Sequence, residues 1–170
     1  MSKRLVYVLN SYSPVDVSHF WHVLELLEAI ADRGIEVRVV IEKSSGRPEF
    51  RNERISVEIL PPLGILRRYW GLYRAVRSAV RGGYSAVFTR ISAPSAVVAT
   101  VACLGTAAKS YYWQSGTVHD FDATQPFGLK KLRWYVTTHL PFRLLLRILD
   151  GFATGPEMML DYYRERVGVP

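Results

Sequence analysis

The sequence contains a single cysteine, and that scarcity excludes two kinds of stabilisation within the chain. Cys103 alone forms neither an intrachain disulfide nor a cysteine-based zinc site. Low-complexity tracts are also missing, and 49% of the 170 residues are hydrophobic against 22% that are charged. This composition is typical of a globular domain with its own hydrophobic core, and it fits a reducing, cytoplasmic compartment.

Long apolar runs are missing as well. The apolar residues after Arg4 stop at Asn10, which is too short for the core of a signal peptide. Residues 91–108 lack charge, but they are rich in Ala, Ser, Thr and Val and include Pro94. We therefore predict a buried helix there rather than a membrane span.

Glycine-rich phosphate-binding motifs are absent. The sequence has neither G-x-G-x-x-G nor a P-loop, and residues 10–20 contain no glycine. A self-contained dinucleotide site is excluded, and we predict no cofactor. His19 and His22 are three residues apart near a predicted helix start, but no third ligand lies nearby in sequence, so we predict no metal site.

Acidic residues are missing from two basic segments. Residues 63–81 and 129–149 carry ten of the 22 Lys and Arg residues and no acid, whereas the rest of the chain is mildly acidic. Helical spacing places the arginines beside apolar and aromatic residues, which suits an anionic membrane surface; a solvated helix face is the alternative. No recognised nucleic-acid motif is present, so we predict no nucleic-acid partner. The predicted membrane-facing residues are Arg67, Arg74, Arg77, Arg81, Lys130, Lys131 and Arg133.

Short β-branched runs alternate with longer stretches of helical periodicity. This rhythm predicts an α/β fold, a Rossmann-like doubly wound sheet that is mainly parallel, with helices on both faces, in one domain over residues 1–170. The predicted strands are 4–9, 36–41, 55–60, 85–91, 110–114 and 151–154. The predicted helices include 65–81, 95–107 and 156–167, together with two short helices divided at Pro141.

In such a sheet, ligands bind beyond the carboxyl ends of the strands. Arg90 ends an apolar strand, where a buried charge is costly unless it meets an anion; a surface arginine is the alternative. His119 beside Asp120 can orient a substrate hydroxyl or accept its proton, whereas the alternative is a solvated polar loop. The predicted substrate-binding residues are Asn10, Ser11, Ser18, His19, Arg90, Gln114, Ser115 and Gly116.

Three segments of the chain follow a familiar order. A strand ending near Asn10 and Ser11 is followed by WHVLELLEAIADRGIEVRVVIE at 21–42, then GGYSAVFTR at 82–90, then DGFATGPE at 150–157 with Gly-Val-Pro at 168–170. This order resembles the N-terminal domain of retaining, group 1 type glycosyltransferases of the GT-B fold. The resemblance covers nearly the whole chain.

The resemblance implies the acceptor-side half of a GT-B enzyme, with the C-terminal donor domain absent from this chain. It implies transfer of a sugar from a nucleotide-diphosphate sugar to a glycan or lipid-linked acceptor, with no cofactor. The family's histidine after strand five corresponds to His119 or to Gln114, and we predict a catalytic role for one of them and for Asp120. The glycines of the family's first loop are replaced by residues 15–18.

Two expectations about partners follow from the resemblance. This half alone should be inactive, and the missing domain or a partner chain should supply the donor site. The alternative is a non-catalytic half of a split glycosyltransferase that docks a partner chain to a membrane. In either case we expect a cytoplasmic protein, peripheral on the cytoplasmic membrane face.

Overall fold

The computed structural model describes residues 3–15, 17–62, 64–114, 128–155 and 157–167. For residues 17–21, 158, 166 and 167 only the backbone is described. Within these ranges, six parallel strands form one sheet in the order β3-β2-β1-β4-β5-β6. The elements are β1 (Arg4–Leu9), α1 (Val17–Asp32), β2 (Glu36–Ile41), β3 (Ile55–Ile59), α2 (Ile65–Arg81), β4 (Ala86–Arg90), α3 (Ala93–Cys103), β5 (Lys109–Gln114), α4 (Leu129–Trp134), α5 (Leu140–Ile148), β6 (Gly151–Thr154) and α6 (Glu157–Tyr162).

One face of the sheet is covered by α1. The helix presents Val23, Leu27 and Ala31 at intervals of four residues, and all three are buried against β1, β2 and β3. The helix is followed by Gly34, whose φ of 81° lies in the left-handed region that glycine adopts without steric cost. The turn leads directly into β2.

The opposite face is covered by α2 and α3. Leu72, Val76 and Val80 of α2 pack against the alternate side chains of β1 and β4 and against α3. Helix α3 begins at a side-chain cap, because the hydroxyl of Ser92 accepts a hydrogen bond from the backbone N–H of Ser95. Most of α3 is buried, as the prediction of a buried helix in this uncharged stretch required.

A third cluster extends this layer over β5 and β6. Tyr112 of β5 packs with Phe142 and Leu145 of α5 and with Tyr163, and all four are fully buried. The chain from α4 to α5 is one continuous helical run, because residues Tyr135–His139 form a π-helical segment between them. No helix among the described residues is long and apolar enough to cross a membrane.

The predicted doubly wound fold is confirmed, and the described sheet is entirely parallel. Four elements have the predicted bounds, namely β1, β2, β6 and α2; the others differ by a few residues at their ends. The predicted break at Pro141 is wrong. The N–H of Leu140 bonds to the carbonyl of Tyr135, five residues back, and this wider turn carries the helix through a proline that would distort an ordinary α-helix.

Candidate functional site

The carboxyl edge of the sheet has its switch point between β1 and β4. The connection from β1 leads to one side of the sheet and the connection from β4 leads to the other, so a crevice opens where these two strands end. Leu9, Arg90 and Trp113 occupy one row across β1, β4 and β5. Arg90 therefore lies beside the crevice, as its position at a strand end predicts.

Arg90 rests on an aromatic ring. Its guanidinium carbon lies 5.2 Å from the centroid of the Trp113 ring, within the range of a cation–π contact. The arginine side chain is half-buried, and its Nε is fully buried without a hydrogen-bond partner. Among the described residues, Arg90 forms no ion pair and no side-chain hydrogen bond.

The other half-buried arginines of the described chain all have partners. Arg4 pairs with Glu36, Arg38 with Glu58, and Arg68 with Glu42. The fourth, Arg77, donates to two backbone carbonyls. Arg90 differs from all four, so its cation lacks a counter-charge in a position where solvation is already reduced.

An aromatic row supports Arg90 from below. The rings of Tyr7 and Phe88 stack with centroids 5.3 Å apart, and Phe88 meets Trp113 edge-on at 6.3 Å. The hydroxyl of Tyr7 and the Nε1 of Trp113 are buried without a hydrogen-bond partner in the described structure. Burial raises the pKa of Tyr7 to about 12, although the nearby charge of Arg90 opposes this shift. Neither Tyr7 nor Trp113 is among the site residues predicted from the sequence.

The backbone after Arg90 is strained. Ile91 has a φ of 69°, which is a rare conformation for a β-branched residue. Its N–H donates to the carbonyl of Trp113 at 2.8 Å, and this bond holds the turn between β4 and α3. Strain of this kind concentrates at functional sites, where the surrounding structure maintains it.

A buried ion pair lies on the other side of the switch point, and sequence analysis missed it. Glu42, directly after β2, is 1% exposed, and its Oε2 lies 3.2 Å from the Nε of Arg68 on α2. Its Oε1 has no partner among the described residues. Burial raises the pKa of Glu42, although Ser95 and Arg68 oppose this shift. Both residues line a cavity of about 380 Å³. A polar residue at the end of an apolar strand was the signal that identified Arg90, and the same signal applies to Glu42 at the end of β2.

Gln114 has a structural role in the described fold. Its side chain is 5% exposed and contacts the hydroxyl of Tyr112, which donates to the carbonyl of Ile91 at 2.9 Å. The backbone carbonyl of Gln114 accepts a bond from Thr154 on β6. This burial, on the face opposite Arg90, argues against the catalytic and substrate-binding roles predicted for Gln114.

The remaining predicted site residues fall into two groups. Asn10 is half-buried and Ser11 is exposed, and both follow β1 at the carboxyl edge as expected. Ser18 and His19 are in the first turn of α1, and their side chains lie outside the described structure. Also outside the described residues are Ser115, Gly116, His119 and Asp120.

Arg77 requires a correction. Its guanidinium donates to the carbonyls of Ala102 and Leu104 at 2.9 and 2.7 Å, so it satisfies the C-terminal end of α3. Arg77 is therefore half-buried between two helices and does not face a membrane. Helical spacing put Arg77 on the same face of α2 as Arg74, because spacing within one helix carries no information about contacts with a neighbouring helix.

The other predicted membrane-facing residues are at the surface. Arg67, Arg74, Arg81, Lys130 and Arg133 are exposed, and Lys131 is half-buried. Large apolar side chains are exposed in the same two helical segments: Leu66 is 85% exposed and Leu129 is 86% exposed. Helix α3 contacts both α2 and α5, so the two basic segments lie on the same face of the sheet.

Two further features concern metal and thiol chemistry. Across the described ranges, no group of three His, Cys, Asp or Glu side chains is arranged to hold a metal ion. Cys103, the last residue of α3, is buried in the core, and burial raises the pKa of its thiol to about 11. A thiol in this state is a poor nucleophile at neutral pH.

The family model described as Glycosyltransferase Family 4 matches residues 20–170, which is most of the chain and includes β4 and both basic segments, whereas β1 lies before the matched residues. No curated protein sequence matches the chain significantly.

Two solved structures share the fold. WaaG, a glycosyltransferase involved in lipopolysaccharide biosynthesis, aligns with 94% of this chain at a TM-score of 0.54 and 11% identity. A protein from Listeria monocytogenes described as a UDP-N-acetylglucosamine 2-epimerase aligns with 91% of it at 0.53 and 12% identity. The chain spans 41% and 39% of the lengths of these two proteins, respectively. At these identities the likeness concerns the fold alone.

Proposed function

The chain belongs to Glycosyltransferase Family 4, and from that premise we propose that it is the acceptor-binding half of an enzyme that moves a sugar from a nucleotide-diphosphate sugar to a glycan or lipid-linked acceptor. The observation that carries this proposal is the crevice at the switch point. It combines an unpaired arginine, a strained turn and a buried carboxylate at the edge where doubly wound folds bind ligands.

The donor is assigned to a second domain. Loop residues 10–20 have no glycine, and no glycine-rich motif elsewhere offers backbone N–H groups to a pyrophosphate. A second domain facing the crevice would bring the donor's diphosphate against fixed donors and charges, which is how such transfer is accelerated. It follows that this half alone is inactive.

Transfer assays test this division of labour. The chain is incubated with radiolabelled nucleotide-diphosphate sugars and with soluble and lipid-linked glycan acceptors, in three arms: alone, fused to a donor domain of the same family, and mixed with that domain as a separate chain. We expect transfer only where the second domain is present. Transfer by the chain alone contradicts the division, and no transfer in any arm contradicts the proposed activity.

The second candidate function, a docking half of a split enzyme, is favoured by the exposed apolar ends of α2 and α4. Ile65, Leu66 and Trp70 are 63%, 85% and 61% exposed, and exposed arginines lie next to them. Such a surface fits an anionic lipid leaflet, with the apolar side chains in the headgroup region. We place the protein peripherally on the cytoplasmic face of a membrane, with the crevice toward lipid-linked acceptors.

Vesicle flotation checks the membrane surface. Reversing two charges with Arg67→Glu and Arg74→Glu should weaken binding to anionic vesicles at least about tenfold, because each basic residue near an anionic surface contributes about 1 kcal/mol. The matched control reverses the exposed Arg33 and Arg54, which lie outside the two basic segments. An equal loss in the control, or no binding of the unmodified chain to anionic vesicles, rejects the membrane surface.

A further inference from the structure

Arg90 is the feature of the molecule that the fold does not account for. Four other half-buried arginines in the described chain bond to carboxylates or carbonyls, whereas Arg90 bonds to neither. We propose that Arg90, the hydroxyl of Tyr7 and the indole N–H of Trp113 line an oxyanion site, and that this site takes a phosphate ester of the enzyme's substrate.

The guanidinium is held in a fixed orientation. Trp113 supports it at 5.2 Å, and its Nε is buried, so only the two terminal nitrogens remain open to a ligand. These two nitrogens form a planar fork that matches two oxygens of a phosphate group. Because the ring already restricts the side chain, little conformational freedom is lost when an anion binds.

The surroundings favour a negative charge. The hydroxyl of Tyr7 and the Nε1 of Trp113 are buried hydrogen-bond donors without a partner in the described structure. Buried polar groups of native proteins nearly always have partners, so unpaired donors beside an unpaired cation indicate a missing acceptor.

The substrates of the proposed function carry phosphate groups, so phosphate is the oxyanion expected at this site. The choice of phosphate therefore rests on the proposed function. Both substrates of such an enzyme can carry it: the acceptor as a sugar phosphate or lipid phosphate, and the donor as a nucleoside diphosphate. The shared chemistry is a phosphate ester. The two sources are separated by the probes.

Calorimetric titration of the chain with hexose 1-phosphate and with nucleoside diphosphates tests the site. We expect saturable binding of at least one probe, and a loss of at least about tenfold in Arg90→Gln. Arg90→Lys keeps the charge without the fork and should fall between the two. Arg54→Gln, which removes an exposed arginine outside both basic segments, should change affinity by less than about twofold, because screened surface charges contribute little.

The two probes distinguish an acceptor phosphate from a donor phosphate. Stronger binding of hexose 1-phosphate assigns the site to the acceptor, and stronger binding of a nucleoside diphosphate assigns it to the donor. An absence of saturable binding, or an equal loss in Arg54→Gln, overturns the proposal. A phosphate-dependent rise in the melting temperature of the unmodified chain, reduced in Arg90→Lys, provides a readout even where Arg90→Gln folds poorly.

Failure of this inference is distinct from failure of the proposed function. Phosphate binding that depends on Arg90, together with no sugar transfer in any assay arm, leaves the site intact and removes the function. Sugar transfer that proceeds unchanged in Arg90→Gln leaves the function intact and removes the site.

Discussion

The two edges of the sheet differ in whether their polar groups have hydrogen-bond partners. At the amino edge, Asp150 accepts bonds from the backbone N–H and hydroxyl of Ser110 at 2.9 and 3.1 Å and from Lys109 at 2.8 Å. Glu36 likewise accepts from Arg4 and Tyr84 at 2.8 Å each. Toward the carboxyl edge, four buried polar atoms lack partners among the described residues: the hydroxyl of Tyr7, Oε1 of Glu42, Nε of Arg90 and Nε1 of Trp113.

The difference separates stability from function within one sheet. Satisfied groups at the amino edge hold the strands β1, β5 and β6 at their starts. Near this edge the Nε of Arg77 also lacks a partner among the described residues, but the same guanidinium donates to two carbonyls there. The carboxyl edge combines unsatisfied groups with the positive φ of Ile91. Unpaired buried groups and backbone strain lower stability, so their concentration at one edge indicates that a ligand completes it.

The largest expected effect concerns the buried ion pair of Glu42 and Arg68 at the carboxyl edge. Arg68→Met should destabilise the protein by about 3 kcal/mol, because it leaves the carboxylate of Glu42 buried without its cation. Arg67→Met, the same change at the exposed neighbour, is the control. Denaturant unfolding measures both variants, and similar losses would contradict the burial of the pair.

The pH dependence of this loss has a definite sign. The pKa of Glu42 is raised in the folded state, so its carboxyl contributes stability below its unfolded pKa, and that contribution is lost as the pH rises through the folded pKa. Loss of Arg68 raises this pKa further. The deficit of Arg68→Met should therefore shrink as the pH is lowered toward 4.5, the ordinary value for this carboxyl.

The amino edge should respond next. Asp150→Ala removes the acceptor of two Ser110 donors and should destabilise by about 2 kcal/mol, because Ser110 is buried and its N–H and hydroxyl lose their partner. The exposed Asp161, whose contact with Arg164 is 3.8 Å, provides the control Asp161→Ala. Thermal unfolding of the two variants should differ clearly.

The same edge has its own pH signature. The hydrogen bond from Lys109, and then those from Ser110, hold the pKa of Asp150 below its usual value of 3.8. Its contribution is therefore present above 3.8 and is lost as the pH falls through the depressed pKa of the folded state. The stabilities of the unmodified protein and of Asp150→Ala should converge in acid, and a gap that persists there would contradict this explanation.

The smallest expected effect compares two buried tyrosines. Tyr112→Phe should cost about 1 kcal/mol, since its hydroxyl bonds to the carbonyl of Ile91. Tyr7→Phe should be neutral or stabilising by up to about 1 kcal/mol, because it removes a buried hydroxyl that has no partner in the described structure. Equal losses in denaturant unfolding would remove the contrast between a satisfied and an unsatisfied group.

The sequence predicted correctly those features that depend on the pattern within a single helix or strand. Alternation of strands and helices specified the sheet, and the strand-end rule located Arg90 at the crevice. The predictions failed for side chains whose surroundings depend on a contact with a second helix or strand. Arg74 and Arg77 share a helix sector, but only Arg77 meets the carbonyls at the end of α3. Gln114 ends a strand as predicted, yet its side chain points into the core.

The missed residues have the same explanation. Tyr7 and Trp113 are ordinary strand aromatics in the sequence, and only the register of β1, β4 and β5 brings them beneath Arg90. The register also leaves their donors unpaired, which no periodicity encodes. Glu42 was within reach of the strand-end rule, because it directly follows the apolar run of β2.

The most direct test of a functional carboxyl edge is a ¹⁵N nuclear magnetic resonance titration of the chain with hexose 1-phosphate. The indole N–H of Trp113, assigned with a Trp113→Phe variant, should shift together with the amides of Asn10 and Ile91. The amides of Lys109 and Ser110 at the amino edge should stay in place. Shifts confined to the amino edge or to the basic segments of α2 and α4 would contradict the account.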